Sequence, residues 1–191
     1  MAYIKNSMKV FLFLVAASFW VANHRCGAQS FGFDFTDGFQ GWSGGFADFP
    51  AADSVMYQLE FGRTALPLPL DTGKFALRIS GKNHSDDLFM FIKKKITGLQ
   101  PGTTYQLKID VQLASRAPTH AIGVGGPPGE GVTLKAGAVR TEPQAVDVGG
   151  FRSMNLDKAN QALPGPDMDT IGHVGVSDTT TVFTLISRSN T

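Results

Sequence analysis

The stretch "YQLKIDVQL" (residues 105–113) constrains this chain more than any other. Tyr105, Leu107, Ile109, Val111 and Leu113 recur at every second position, with Gln106, Lys108, Asp110 and Gln112 between them. On a helix the five apolar side chains would scatter around the axis; on an extended strand they line up on one face. The same period returns in "FGFDF" (31–35), which places Phe31, Phe33 and Phe35 together, and in "KFALRIS" (74–80), which sets Phe75, Leu77 and Ile79 against Ala76, Arg78 and Ser80. "DLFMFIKKKI" (87–96) is apolar on both faces before its lysines, and "GVTLKAGA" (131–138) and "TTTVFTLISR" (179–188) are further strand candidates. No stretch carries a convincing helical period, and 22 glycines and 10 prolines interrupt the chain often. Many short strands, frequent turns and no helices predict an all-β antiparallel sandwich.

"TGLQPGTTY" (97–105) joins two of these strands. Pro101 presets its own φ and Gly102 supplies a permissive turn residue, so the flanking strands are expected to pair antiparallel. Residues 140–178 are polar and rich in Gly and Pro, and they predict a long irregular segment of the kind that often carries function or is mobile.

The first 28 residues read as an export leader. Lys5 and Lys9 precede the apolar run "VFLFLVAASFWVA" (10–22), which is short for a membrane span and of the usual length for a signal core. "CGA" (26–28) fits a small-x-small cleavage site and leaves Gln29 as the new N-terminus. Lipid attachment at Cys26 is the rival, and Arg25 argues against it because a lipid-attachment signal wants small or apolar residues there. Cleavage predicts a secreted or periplasmic protein with one domain, residues 29–191, and no remaining membrane span. Removing 28 of 191 residues leaves 163, enough for a real core. The leader takes three of the 17 basic residues and none of the 16 acids, so the remaining net charge is −2. That balance offers nucleic acid nothing to bind. Cys26 is the only cysteine, so stability must come from the core or from an ion.

"FGFDFTDGFQGW" (31–42), "GKFALRIS" (73–80) and "ITGLQPGTTYQLKIDVQL" (96–113) together resemble the jelly-roll, galactose-binding-like carbohydrate-binding modules, over roughly residues 31–113. Fibronectin type III domains share the L-x-P-G-T-x-Y turn but lack the aromatic opening. "GGFADFP", "NHSDDLFMFIKK", "GGPPGEGVTLKAGA" and "MNLDKANQ" are similar to stretches of secreted bacterial proteins of unassigned function, which supply no site to carry over. The jelly-roll resemblance implies a final strand beside the first. The sequence runs out at "TVFTLISRSNT", so the expectation is a sandwich lacking that strand, with an open edge, through truncation or a divergent end. The resemblance also implies a structural calcium near Asp34 and Asp37.

From the residues themselves, "NHSDD" (83–87) sets Asn83 and His84 beside Asp86 and Asp87. The first reading is a solvated strand-entry loop whose Asn and Asp bond their own backbone; the second is a site for a hard cation such as calcium, which these oxygens suit. "GWSGGFADFP" (41–50) and its surroundings carry Trp42, Phe46, Phe49 and Tyr57. Some of these could stack on a sugar ring; the competing expectation is that they pack one end of the core. "MNLDKANQ" (154–161) offers Asn155, Asp157, Lys158, Asn160 and Gln161 as hydrogen-bonding groups. "GVGGPPGEG" (123–131) fails as a phosphate loop, since Pro128 stands where a third glycine belongs and no helix follows. The histidines lack zinc-site spacing and no G-x-S-x-G occurs. The expectation is a non-catalytic module that recognises a carbohydrate or cell-surface glycan. The alternative is a structural or adhesive envelope protein without a small ligand.

Overall fold

The computed structural model describes residues 9–23, 26–84, 87–123, 126–177 and 180–190. Its strands, in chain order, are β1 (Lys9–Asn23), β2 (Cys26–Phe33), β3 (Ser43–Ala47), β4 (Phe49–Pro50), β5 (Glu60–Ala65), β6 (Phe75–Lys82) and β7 (Phe89–Lys93). There follow β8 (Gln106–Ser115), β9 (Ala117–Pro118), β10 (Thr133–Ala136), β11 (Ala145–Val148), β12 (Phe151–Met154), β13 (Asp169–His173), β14 (Gly175–Val176) and β15 (Thr184–Ser189). Helical structure among the described residues amounts to a 3-10 turn at Ala51–Asp53 and one α-turn, α1 (Ser54–Tyr57). The fold is all-β, built of antiparallel ladders apart from the short parallel pair β9–β14.

One large sheet forms the first layer in the order β15-β8-β1-β6-β5, with β2 paired to β1. The alternation holds in the first half of β8, where Ile109 is buried while Gln106 and Lys108 stand in solvent; towards its end both faces are covered, and Leu113, Ala114 and Ser115 are all buried. Leu113 packs against Leu134 of β10, Ile171 of β13 and Val174, with Ile186 of β15 beside it. β6 is buried on both faces. Leu77 meets Leu14 and Phe35 on one side, and Ala76 meets Leu66 and Ala114 on the other. A strand with close neighbours on both faces needs small residues on one of them, which is what Ala76 and Ser80 provide.

The second layer is made of short ladders, β3–β7, β10–β13 and β11–β12–β4. The glycines of β3 set its distance from the rest. A Cβ on Gly44 would run into the ring of Phe61, and one on Gly45 into Phe91. The loop that reads as glycine-rich is therefore a strand over which aromatic rings close.

Two expectations change. β7 and β8 do not pair: β7 pairs with β3 and β8 with β1 and β15, so "TGLQPGTTY" crosses between layers instead of closing a hairpin. The Tyr105 hydroxyl accepts a hydrogen bond from the Gln100 amide at 2.7 Å, which holds this crossing loop in shape from within. Residues 140–178 contain a tight hairpin, β11–β12, turned by Gly149 and Gly150 at φ 61 and 87, together with β13 and β14. Two consecutive positive-φ residues are the signature of the turn that matches strand twist. The apolar run of residues 10–22 lies within β1, which pairs with β6 through residues 9–14, with β8 through residues 13–22 and with β2 through residues 17–23. An unbroken apolar run suits a central strand covered on both faces as well as it suits a signal core, and composition alone does not separate the two.

Candidate functional site

Four separate pieces of chain line one open cavity of about 840 Å³. Asn83 and residues 87–90 come from the entry to β7, and Gly126 to Lys135 form the "GGPPGEG" loop and β10. The β12 strand and the loop after it supply Phe151, Met154 and residues 156–162, and Asp48 comes from between β3 and β4. This volume is in the range that holds a small ligand.

Asp48 joins these pieces. Its Oδ2 lies 2.8 Å from Lys158 Nζ, with both side chains about five-sixths covered (15% and 16% exposed). Its Oδ1 accepts the Met154 amide at 2.9 Å, and its own amide donates to the Arg152 carbonyl. Lys158 also lies over the Phe89 ring, 5.0 Å from its centre. Lys135 secures the outer loop by donating to the carbonyls of Lys158 and Leu163 at 2.5 and 2.7 Å. Burial, and then the charge of Lys158, hold its ammonium below the usual lysine range.

The loop after β12 is wound tightly. The Asp157 amide donates to Asp167 Oδ2 at 2.8 Å, the Asp167 amide donates to the Asp157 carbonyl at 3.0 Å, and the Ala159 amide donates to Asp157 Oδ1 at 3.2 Å. Gly165 lies so close to this backbone that a Cβ there would strike the peptide between Lys158 and Ala159. Three non-glycine residues on the cavity wall occupy the left-handed region: Asp48 (φ 62), Ala159 (φ 52) and Gln161 (φ 41). For alanine that conformation costs about 1–2 kcal/mol, and strain of this kind gathers where geometry serves a ligand. Ala159→Gly is accordingly expected to raise stability by roughly 0.5–1 kcal/mol in chemical denaturation.

The polar residues singled out in the sequence divide cleanly. Asn83, Asp87, Asp157, Lys158, Asn160 and Gln161 line this one cavity, although more than 60 residues separate the two groups in sequence. Asn155 does not; its side chain accepts the Gln144 amide and donates to the Glu142 carbonyl, stapling the β11–β12 hairpin. His84 faces away, with Nε2 3.1 Å from the Met56 carbonyl and its ring edge-on to Tyr57. Tyr57 is buried against Phe49. Phe46 is half-buried in β3 opposite Met90. Trp42 packs on the core cluster of Leu14, Phe35 and Leu77, edge-on to Phe33 at 5.4 Å and to Phe35 at 6.4 Å. The aromatics of the opening loop thus fill one end of the core, and the rings at the cavity are Phe89 and Phe151.

The acidic residues near the first strand serve their own turn. Asp34 Oδ1 accepts from the Thr36 amide and from Gln40 Nε2, each at 3.0 Å. The backbone bond from Thr36 and then the Gln40 amide hold its carboxyl below the usual range. Asp37 is exposed, and Asp86 lies outside the described residues. Among the described residues no three acidic, histidine or cysteine side chains gather closely enough to hold a metal ion.

Asp48, Lys135, Phe89, Phe151 and Met154 were not legible as site residues. Asp48 had one local signal, a single acid between two apolar residues in "FADFP" where a strand should have continued. The chain matches no protein-family profile, no curated protein and no solved structure.

Proposed function

We propose that the chain is an exported, non-catalytic binding module that holds a glycan in the cavity between the β7 entry loop and the loop after β12. The observation that supports it most is the convergence of Asn83, Asp87, Asp157, Asn160 and Gln161 on one cavity that also offers the half-buried rings of Phe89 and Phe151. Sugars are held by hydrogen bonds from such groups together with contact on an aromatic face. The lining carries the acids Asp48, Asp87, Glu130 and Asp157 against the bases Lys135 and Lys158. Both bases are engaged, one by a carboxylate and one by carbonyls. That balance favours a neutral sugar over an acidic one, since an added carboxylate or sulfate would meet more acid than free base. Among the described residues no helix is long and apolar enough to cross a membrane.

A glycan array, followed by pull-down on insoluble polysaccharides, tests this reading. The folded chain is expected to retain neutral glycans in preference to uronic or sulfated ones. Failure to bind any of them would favour the structural or adhesive alternative.

A further inference from the structure

The loop at 157–167 is gripped by one short ladder. β10 and β13 turn Leu134 and Ile171 into the core. Lys135 and Thr170, beside them in sequence, are cross-strand partners and so stand together on the other face. Both reach into the loop. Lys135 Nζ donates to the Lys158 and Leu163 carbonyls at 2.5 and 2.7 Å, and Thr170 Oγ1 donates to the Ala162 carbonyl at 3.0 Å. The Leu163 amide closes back on the Asn160 carbonyl at 3.0 Å. The carbonyls of residues 158, 162 and 163 are thus tied to the ladder. Asn160 and Gln161 are left exposed on the crest between them, on the cavity wall.

The neck of the loop is shut by other bonds. Asp157 and Asp167 hold one another's backbone there, and a Cβ on Gly137, just past β10, would strike the Asp167 carbonyl. Closing the loop therefore does not need Lys135 or Thr170; their bonds fix how the crest stands. The arrangement is also unfavourable for the lysine. Burial opposes its charge, Lys158 adds a like charge, and its two short bonds go to carbonyls. A methionine would carry a similar apolar stem without that desolvation. Stability alone gives no reason for an ammonium at this place.

We infer that Lys135, with Thr170 beside it, is a positioning residue of the cavity. It holds the loop in the conformation that presents the side chains of Asn160 and Gln161 to a glycan, and affinity depends on it although its own ammonium makes no ligand contact. The inference rests on the binding reading above. A loop held in its bound form before the glycan arrives removes the ordering cost from binding. Where the held form is populated less, apparent affinity falls by the same fraction.

The test measures affinity for the neutral oligosaccharide that the parent chain retains best on the array, well below the melting midpoint. Lys135→Met keeps the apolar stem and removes the donors; Thr170→Val keeps the strand and removes the hydroxyl. Binding is expected to weaken by roughly tenfold in the first and roughly threefold in the second. Without glycan, hydrogen exchange is expected to quicken at the Leu163 amide while the Asp157 and Asp167 amides at the neck exchange as in the parent. Added to Asn160→Ala with Gln161→Ala, either variant is expected to cost no further affinity, because nothing is left for it to place. A further loss of similar size in that background would mean that Lys135 meets the glycan itself and would overturn the inference. Unchanged affinity in the single variants would overturn it too, and Thr170→Val carries the same cycle if Lys135→Met does not fold. A parent chain that retains no glycan sinks the binding reading first, and the inference with it.

Discussion

Asp48→Ala is expected to destabilise the protein by roughly 2–4 kcal/mol, because it strips the carboxylate from a largely covered ammonium and the acceptor from a strand amide together. Lys158 would lose the carboxylate beside it, and the Met154 amide would lose its 2.9 Å bond. For a domain of this size the loss amounts to a fall in melting midpoint of about 5–15 °C. Asp48→Asn separates the two contributions. Asparagine tolerates the left-handed backbone at this position (φ 62) and retains an oxygen for Met154, so its cost isolates the loss of charge. Urea titration of both variants measures the difference. A cost near zero in Asp48→Asn would mean that the ion pair contributes nothing beyond the hydrogen bond, and equal costs in the two variants would mean that the hydrogen bond contributes nothing beyond the charge.

Leu113→Ala is the second large effect, at about 2–5 kcal/mol. Leu113 is fully covered, with Leu134, Ile171 and Val174 against it from the second layer, so truncation leaves a cavity that β-sheet neighbours on both sides prevent from collapsing. Lys108, on the opposite face of the same strand, is exposed. Lys108→Ala should stay within about 0.5 kcal/mol of the parent. The contrast between the two is the energetic form of the period-two pattern. Equal effects would mean that β8 does not present its alternating faces to core and solvent.

What was legible in the sequence was whatever a single strand or turn encodes. β8 and β6 could be read because burial is periodic along an extended chain, and Gly102 could be read because the turn at Pro101 needs a permissive backbone, seen here at φ 70. The β11–β12 hairpin was equally readable, since "VDVGGFRSM" places two glycines between alternating residues, but the surrounding Gly and Pro content masked it. Layer assignment was not legible. A short connection suggests pairing, yet β7 and β8 diverge into opposite layers because β7 finds its partner in β3, more than 40 residues earlier.

The site was half legible for the same reason. Asn83, Asp157 and Asn160 stand out as polar clusters in loops, whereas Asp48 and Lys135 act through partners brought close by the fold alone. Trp42 illustrates the opposite error. A tryptophan in a glycine-rich loop invites a stacking role, but the chain reverses at Phe35 (φ 59) and brings the indole against Phe33 and Phe35 in the core. The cavity is instead lined by polar loop residues and by Phe89 and Phe151, and their arrangement follows from the tertiary contacts of Asp48 and the tight turn at Asp157.

The most direct measurement titrates the best neutral glycan from the array into three folded proteins: the parent, Asn160→Ala combined with Gln161→Ala, and Phe39→Ala. Asn160 and Gln161 are exposed on the cavity wall, and Phe39 is an exposed ring of the opening loop, away from it. Loss of two hydrogen bonds at the cavity predicts affinity lower by about tenfold or more in the double variant, at unchanged melting midpoint, with Phe39→Ala binding as the parent does. Undiminished binding in the double variant together with a loss in Phe39→Ala would place the ligand on the aromatic opening loop and contradict the account.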